Sequence, residues 1–436
     1  MSGLPRFSPI VAAIALAATT LVAAFGLQEF AFSDYEAEVL PAAQALGDGD
    51  VTLFLSRLPG YAGAVEMQAP FGLLGGLVGG DTDLWTWRFQ ALPGLLLLLC
   101  LGAVLGSFVA EQVGGVRGTL YGGLSALMVA GSPFAMRAEV MGHPEELLIS
   151  GLAISAVLAA IRGRMIPAGI LIGVAAAAKP WAVVAVPVVM LAAQDRRALA
   201  VSISSMVLAG VALTSPALLV HGVGGTAGLV PTAGGDIFKP SQAFWFFGSE
   251  NPVGHAARSA AGTLNSTAGA PYADRLAVGW ASRISHPLIV LVAGALALLY
   301  ARRPLNTRRG PDLLLLLAAA LWWRCVLDTW NADYYALGAL LTLAVWSAIR
   351  ARAPWLAIAV TVAAWITFRG PAAWWNVTPD AHTAIYLAWA VPLGVALSLR
   401  AVAPERWRRL VASIKPSRRS IRGRSEDRTD APIVAA

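Results

Sequence analysis

Charged residues are scarce in this chain. Lys, Arg, Asp and Glu make up 13% of its 436 residues, whereas 57% are hydrophobic. Soluble domains carry about 25% charged residues, so this chain has about half the charge that normally coats a water-facing surface. Most of the chain is therefore expected to contact lipid.

The net charge of +7 lies in short clusters between apolar runs and in a C-terminal tail, without the basic patch of a nucleic-acid interface. No nucleic-acid partner is expected.

Cysteine and phosphate-binding motifs are lacking as well. The two cysteines, Cys100 and Cys325, both fall inside apolar runs. That position is typical of buried small hydrophobic residues and argues against a disulfide framework. There is no glycine-rich nucleotide-binding fingerprint or phosphate loop, and no His/Asp spacing of a metal site stands out. The sequence therefore predicts neither a metal nor a cofactor.

Long apolar runs dominate what is present, and they predict an all-α bundle of about twelve membrane spans, between ten and thirteen. The predicted spans are residues 9–27, 89–110, 119–136, 146–161, 165–178, 180–193, 198–220, 286–301, 311–327, 334–349, 354–368 and 382–399. The first run resembles a signal peptide, but it is long enough to span and no clean cleavage site follows it. It is predicted to be an uncleaved first helix.

The distribution of charge predicts the orientation of these spans. With the N-terminus inside, 22 of the 32 Lys and Arg residues fall in inner segments. The positive-inside rule then places both termini in the cytoplasm of a multi-pass cell-membrane protein. Eighteen of the 25 carboxylates fall in outer segments instead. Because acidic residues contribute little to insertion, their excess indicates function on the outer face.

The predicted organisation is one transmembrane domain, residues 1–400, followed by a basic cytoplasmic tail, residues 401–436. The tail is expected to be disordered and to touch anionic lipid. Two outer loops are long. Residues 28–88 are predicted to contain short amphipathic helices and an interfacial apolar segment. Residues 221–285, with an aromatic run at 244–247, are predicted to form a mobile lid.

Acidic residues follow the first predicted span at once. Asp34 lies at its exit, and Glu36 and Glu38 come next, with Glu38 one helical turn beyond Asp34. A carboxylate at this position has the chemistry of a general base toward a hydroxyl, particularly if burial raises its pKa. The alternative is structural, with Asp34 capping the next helix and Glu36 in its first turn.

The second outer hairpin holds Arg137, His143, Glu145 and Glu146. Pro144 suits the first turn of the next helix, whose positive end accounts for both glutamates. It does not account for His143, which is a candidate contact for a phosphate or an acceptor hydroxyl.

Lys179 lies at the tip of the third outer hairpin, before Pro180. It is either a lysine whose ammonium reaches the interface or a contact for a phosphate.

The fourth outer hairpin contains a charge within a span. Arg324 needs a partner there, and Asp328 lies one turn away, so the pair either braces the bundle or belongs to a site. Tyr334 and Tyr335 are aromatic platforms of the kind that stack on sugars. His382 ends the last outer loop.

These features together resemble the GT-C superfamily of integral membrane glycosyltransferases, and more closely its actinobacterial branch related to polyprenyl-phosphate-mannose-dependent α-mannosyltransferases. The resemblance extends from about residue 28 to 400. It is carried by short motifs at Asp34–Glu38, Gly142–Glu146, Lys179–Pro180 and Arg324–Tyr335. It implies a GT-C-like fold with the catalytic carboxylate in the first outer loop.

The resemblance also implies a reaction. A polyprenyl-phosphate sugar, mannose-like, is the expected donor, and an envelope lipid or glycan is the expected acceptor. Asp34 would deprotonate the acceptor hydroxyl, with Glu38 or Glu36 as the substitute. The departing phosphate would be stabilised by cations on the outer side. The substrate-binding residues expected on this basis are Arg137, His143, Glu145, Glu146, Lys179, Arg324, Asp328, Tyr334, Tyr335 and His382.

Two other functions remain open from the sequence. A secondary transporter commonly has twelve spans with both termini inside, although transporters place charges near the midplane and show repeated halves. An inactive membrane protein of envelope assembly, such as a scaffold or a lipid flippase partner, would need the fold but not the chemistry.

Overall fold

The computed structural model describes residues 6–28, 35–59, 62–78, 81–225, 237–251, 274–370 and 377–414, and the chain is nearly all-α. Its α-helices are α1 Pro9–Gly26, α2 Leu40–Gly47, α3 Val51–Ser56, α4 Ala62–Gly72, α5 Thr82–Val113, α6 Gly115–Ala130, α7 Pro133–Val140, α8 Glu145–Ile161, α9 Met165–Ala178, α10 Val186–Met190, α11 Arg196–Gly225, α12 Gly279–Tyr300, α13 Leu305–Arg308, α14 Asp312–Leu327, α15 Leu337–Ile349, α16 Trp355–Gly370, α17 Pro379–Val402 and α18 Pro404–Ile414.

Shorter elements connect these helices. Tyr35–Val39 is a single π-helical turn, and four 3₁₀ turns occupy Leu73–Leu77, Pro180–Ala185, Trp245–Phe247 and Asp333–Ala336. Three two-residue strands, β1 Ile237–Phe238, β2 Ser249–Glu250 and β3 Arg275–Leu276, form an antiparallel sheet in the order β1-β3-β2.

Five helices among the described residues are long and apolar enough to cross a membrane. They are α1, α5, α11 over Arg196–Val220, α12 and α17. Each of the twelve predicted spans coincides with helix, but the other seven correspond to shorter helices, some continued by a 3₁₀ turn. The structure thus establishes an α-helical protein with five candidate spanning helices, and the count of twelve stays a prediction.

Several helix boundaries differ from the predicted ones. Helix α5 begins at Thr82, seven residues before the predicted span, because Asp81 accepts a hydrogen bond of 3.1 Å from the backbone N–H of Leu84 and caps the helix. The predicted span 119–136 is instead two helices, α6 and α7, since Pro133 starts a new one.

The two long loops and the tail contain more structure than their composition indicated. Residues 35–47 and 51–56 are helical, as predicted. The strands within residues 237–251 and 274–276 were not predicted, and Phe238, Phe244 and Trp245 pack together beside them. The start of the predicted disordered tail is helix α18, and residues 415–436 lie outside the described part of the chain.

Helices pack closely where small residues face each other. A Cβ on Gly106 of α5 would lie 2.6 Å from the carbonyl oxygen of Gly122 in α6. A Cβ on Gly173 of α9 would lie 2.2 Å from the carbonyl oxygen of Met206 in α11. Side chains larger than hydrogen would push these backbones apart, and lipid supplies no hydrophobic force to hold them together.

Helices α14 and α15 form the centre of the bundle. Nearly every residue from Leu313 to Val326 and from Leu337 to Ala348 is buried, on all faces of both helices. A helix that is apolar all round is stable only when protein or lipid surrounds it. Helix α14 therefore fixes the positions of the charged side chains near its two ends, which are Asp312 in the first turn and Arg324 in the last.

Candidate functional site

Two hairpins bring a histidine, two glutamates and a lysine together. Helix α7 ends before Gly142, whose φ of 80° suits glycine, and α8 begins directly after Pro144. This sharp reversal places His143, Glu145 and Glu146 at the N-terminus of α8, where all three are buried. Lys179 approaches them from the end of α9, in extended backbone.

Glu145 is the most strongly paired carboxylate in this region. His143 Nδ1 lies 2.8 Å from its Oε1, and Lys179 Nζ donates to the same oxygen. Burial alone would raise the pKa of Glu145, but the charges of Lys179 and His143 outweigh burial and lower that pKa to about 2. Burial alone would lower the pKa of Lys179, but the carboxylates of Glu145 and Glu146 outweigh it and raise that pKa.

Glu146 lies between Lys179 and Arg324. Its Oε1 lies 3.3 Å from Lys179 Nζ and accepts a 3.2 Å hydrogen bond from Trp181 Nε1. The same oxygen lies 3.9 Å from Arg324 Nη2. One carboxylate oxygen therefore faces two cations and an indole, since a carboxylate oxygen has more than one lone pair with which to accept.

Arg324 is held by aromatic faces more than by hydrogen bonds. Its guanidinium carbon lies 4.8 Å from the ring centroid of Trp181 and 4.0 Å from that of Tyr335. Its Nε is 3.9 Å from Asp328 Oδ2, beyond hydrogen-bonding distance. Within the described part of the chain this buried Nε has no hydrogen-bond partner. Among the described residues, Arg324 is thus a buried cation whose two nearest carboxylates lie at 3.9 Å, beyond hydrogen-bonding distance.

Asp328 ends helix α14 and reaches a histidine of another helix. Its Oδ2 lies 3.7 Å from His286 Nε2 in α12, and its Oδ1 accepts a 3.0 Å hydrogen bond from the backbone N–H of Trp330. Burial alone would raise the pKa of Asp328, but the neighbouring His286 and the charge of Arg324 outweigh burial and lower that pKa. The aspartate predicted one turn from Arg324 is therefore shared with α12.

The two tyrosines complete the site. The rings of Tyr334 and His143 have centroids 4.9 Å apart, and those of Tyr334 and Tyr335 are 5.0 Å apart. We refer below to the residues joined by these contacts as the Glu145 cluster. Its members are His143, Glu145, Glu146, Lys179, Trp181, Arg324, Asp328, Tyr334 and Tyr335.

Eight of the predicted substrate-binding residues belong to the Glu145 cluster, and two lie beside it. Arg137 Nε donates to Asp333 Oδ2 at 2.8 Å, one residue before Tyr334. His382 belongs to a different network, where its Nε2 lies 3.0 Å from Ser241 Oγ. Asn331 Nδ2 donates to the carbonyl oxygen of Ser241 at 2.6 Å, so this network is linked to the same loop as Asp328.

Of the three predicted catalytic carboxylates, two lie among the described residues. Asp34 lies outside the described residues. Glu36 and Glu38 lie on the π-helical turn Tyr35–Val39, and both are exposed. Both glutamates are therefore in contact with solvent rather than enclosed in a site. The first-loop assignment stays a prediction.

Three side chains near the site were not among the sequence candidates. Trp181 lies two residues after Lys179 and was read as part of an apolar run. His286 stands at the start of a predicted span, 42 residues before Asp328. Glu139 is fully buried, and neither carboxylate oxygen hydrogen-bonds within the described part of the chain. Burial and the charge of Glu145 raise the pKa of Glu139 well above its usual value. Its position between two predicted spans was the one feature of the sequence that could have pointed to Glu139.

An apolar groove of about 390 Å³ runs between α12, α14 and α17 and ends beside the cluster. Leu288, Trp323 and Leu327 line the end nearest Asp328 and His286, and Leu299 and Val402 line the far end. Such a groove accepts an extended hydrocarbon chain. Among the described residues, no three His, Cys, Asp or Glu side chains are grouped as metal ligands.

Comparisons with models of known protein families and with curated proteins found no match for this chain. What the fold defines is a class: a nearly all-α protein whose five long apolar helices indicate a membrane protein.

Proposed function

We propose that this chain is a membrane glycosyltransferase, which transfers a mannose-like sugar from a polyprenyl-phosphate donor to an envelope lipid or glycan acceptor on the outer face. The observation that carries the proposal is the state of Arg324. It is a buried guanidinium between two aromatic rings, and its carboxylates stand at 3.9 Å. A donor phosphate entering this site would supply the short charge-assisted hydrogen bonds that Arg324 lacks.

The reaction needs few groups. The acceptor oxygen forms a bond to the anomeric carbon, and the bond from that carbon to the phosphate oxygen breaks. The hydroxyl proton passes to a carboxylate of the first outer loop, for which Asp34 is the choice and Glu36 or Glu38 the substitute. The electron pair leaves on polyprenyl phosphate, where Arg324 and Lys179 stabilise the added charge. Direct displacement inverts the anomeric centre.

Two further features support a lipid-linked sugar donor. The groove between α12, α14 and α17 is apolar over its length and ends beside Asp328, which suits a prenyl chain with a polar head. Tyr335 contacts Arg324 and Tyr334 contacts Tyr335, so two aromatic side chains of the kind that pack against sugars lie beside the proposed phosphate site. These features support a donor that combines a prenyl chain, a phosphate and a sugar.

The proposal includes the predicted topology. Twelve spans, with both termini in the cytoplasm, put the Glu145 cluster on the outer side together with the first loop. The helices shorter than about 20 residues would then cross with help from flanking 3₁₀ turns or a locally thinner bilayer.

The test is transfer by reconstituted protein. Purified protein in liposomes would receive polyprenyl-phosphate-linked radiolabelled mannose and extracted envelope lipids, and labelled product would be counted. We expect Arg324→Lys to lower transfer about a hundredfold, because the planar donor array facing the phosphate is lost. Arg350→Lys, at the opposite end of α14, is the matched control and should keep transfer.

The second candidate is an inactive assembly protein, and the complete pairing of Lys179 favours it. Lys179 already contacts two carboxylates, which is how a bracing ion pair is built. Absence of transfer by the wild-type protein, or undiminished transfer in both Asp34→Asn and Glu38→Gln, would defeat the catalytic assignment. Saturable uptake of a solute into the same liposomes would point to the transporter.

A further inference from the structure

Helix α18 begins where a candidate spanning helix ends. Helix α17 ends at Val402, Ala403 alone separates the two, and α18 runs from Pro404 to Ile414. The backbone N–H of Trp407 donates to the carbonyl oxygen of Ala403 at 3.1 Å, so the turn between the helices is tight. Because α17 is a candidate spanning helix with Arg400 in its last turn, its end lies near the edge of the hydrocarbon region, and α18 starts at the interface.

The residues of α18 divide into two faces. Trp407 and Leu410 share one face at helical spacing, and the sequence continues that register with Val411 and Ile414. Leu410 is 47% exposed. Ala412, on the opposite face, is exposed too. The apolar face of α18 is therefore not covered by the described part of the chain at Leu410.

The polar side of α18 is basic. Arg406, Arg408 and Arg409 are all exposed. Glu405 is the one acidic residue of the helix, and it pairs with Arg408. Residues 415–436 add six Lys or Arg against three acidic residues. A helix with a narrow apolar face and a cationic flank, placed at a membrane edge, matches the surface of a bilayer that contains acidic lipid.

We propose that α18 lies in the plane of the membrane surface, with Trp407 and Leu410 immersed at the acyl boundary and its arginines bound to anionic lipid headgroups. A soluble protein partner would need an acidic groove instead. This inference does not depend on glycosyl transfer. It requires only that α17 crosses the membrane.

The test measures immersion depth in the full-length protein. In a Cys100→Ala/Cys325→Ala background, Leu410→Cys and the matched control Ala412→Cys would each carry a nitroxide. Each protein would be placed in nanodiscs of phosphatidylcholine alone or with phosphatidylglycerol. Collisions with oxygen, which concentrates in the bilayer, and with a water-soluble nickel chelate would be measured by electron paramagnetic resonance.

We expect the oxygen-to-nickel accessibility ratio in phosphatidylglycerol discs to be several-fold higher at position 410 than at 412. Arg406→Gln/Arg408→Gln/Arg409→Gln should reduce that difference, since each arginine contributes roughly fivefold to affinity for an acidic surface. Equal ratios at the two positions in both disc types would overturn the in-plane placement. An unchanged difference in phosphatidylcholine alone would overturn the assignment to anionic headgroups.

Discussion

Helix α14 carries an arginine–carboxylate cluster at each end, and the two clusters differ in kind. At its start, Asp312 accepts hydrogen bonds from Arg303 at 3.2 Å and from Arg350. In its last turn, Arg324 faces Glu146 and Asp328 at 3.9 Å. Direct hydrogen bonds join the arginines to the carboxylate in the Asp312 cluster, whereas no hydrogen bond joins Arg324 to a carboxylate among the described residues of the Glu145 cluster.

Exposure separates the clusters as well. The side chains of Asp312, Arg303 and Arg350 are 18%, 15% and 30% exposed, whereas those of Glu145, Glu146 and Arg324 are at most 6% exposed. Charges in partial contact with water are screened, and each one can lose a partner at modest cost. Water cannot replace the lost partner of a buried charge, so removal of that partner costs much more stability. The same residue types thus form a partly exposed ion-pair cluster at one end of α14 and a buried one at the other.

The largest effect is expected from Lys179→Gln. This change leaves Glu145 and Glu146 buried with one cation fewer, and it should lower the free energy of unfolding by about 3–5 kcal/mol. Thermal unfolding in detergent would measure the loss. The double variant Lys179→Gln/Glu145→Gln removes both partners and should recover much of it. A loss under about 1 kcal/mol in the single variant would mean that the Glu145 cluster is no more sensitive to a lost partner than the exposed Asp312 cluster.

Acid should weaken the Glu145 cluster next. The pKa of Glu145 is about 2 in the folded chain against an ordinary 4.5, so the folded state favours the ionised form. Its contribution is complete above pH 4.5 and is lost as the pH falls toward 2, by about 3 kcal/mol in total. Unfolding midpoints across this range should fall steeply in the wild type and less steeply in Glu145→Gln. Parallel slopes would contradict the pairing.

Arg324→Lys tests the aromatic contacts without removing charge. The ammonium cannot stack on Trp181 and Tyr335 together, so the unfolding free energy should fall by about 2 kcal/mol. Arg350→Lys is the matched control, since its guanidinium lies 4.9 Å from the Trp346 ring at a more exposed site. There a loss of about 0.5–1 kcal/mol is expected, again from thermal unfolding. Equal losses would mean that burial does not distinguish the clusters.

The smallest effect is expected from Arg350→Gln. Asp312 keeps Arg303, and water reaches the vacated position, so the change should cost about 1 kcal/mol or less. The same unfolding assay applies. If this loss matched that of Lys179→Gln, the contrast between the two ends of α14 would be wrong.

Much of the fold follows from apolar patterning. Each predicted span coincides with helix, because a run of apolar residues has no stable alternative in lipid to a helix that satisfies its own backbone. Boundaries were less predictable where a side chain set them, as with the capping Asp81 before α5. The β1-β3-β2 sheet could not be predicted, because strands of two residues are too short to show an alternating pattern in the sequence.

The site was predictable in part. Glu145 and Glu146 were assigned to one hairpin, Lys179 to another and Arg324 to a third, because charges beside spans are costly unless paired. Their assembly into one cluster depends on how α8, α9 and α14 pack. Trp181 and His286 could not have been found from local sequence, since each gains its role from a partner 35 or 42 residues away.

The sequence by itself determined that this chain consists of apolar runs that form helices, with most of its charged residues between those runs. Composition decides that outcome, since so few charges cannot solvate the surface. Only the tertiary structure decided that Arg324 stands between Trp181 and Tyr335, within reach of Glu146 but without a short hydrogen bond to it. Distances between side chains on different helices arise from backbone approach and packing, and the order of residues along one chain does not encode them locally.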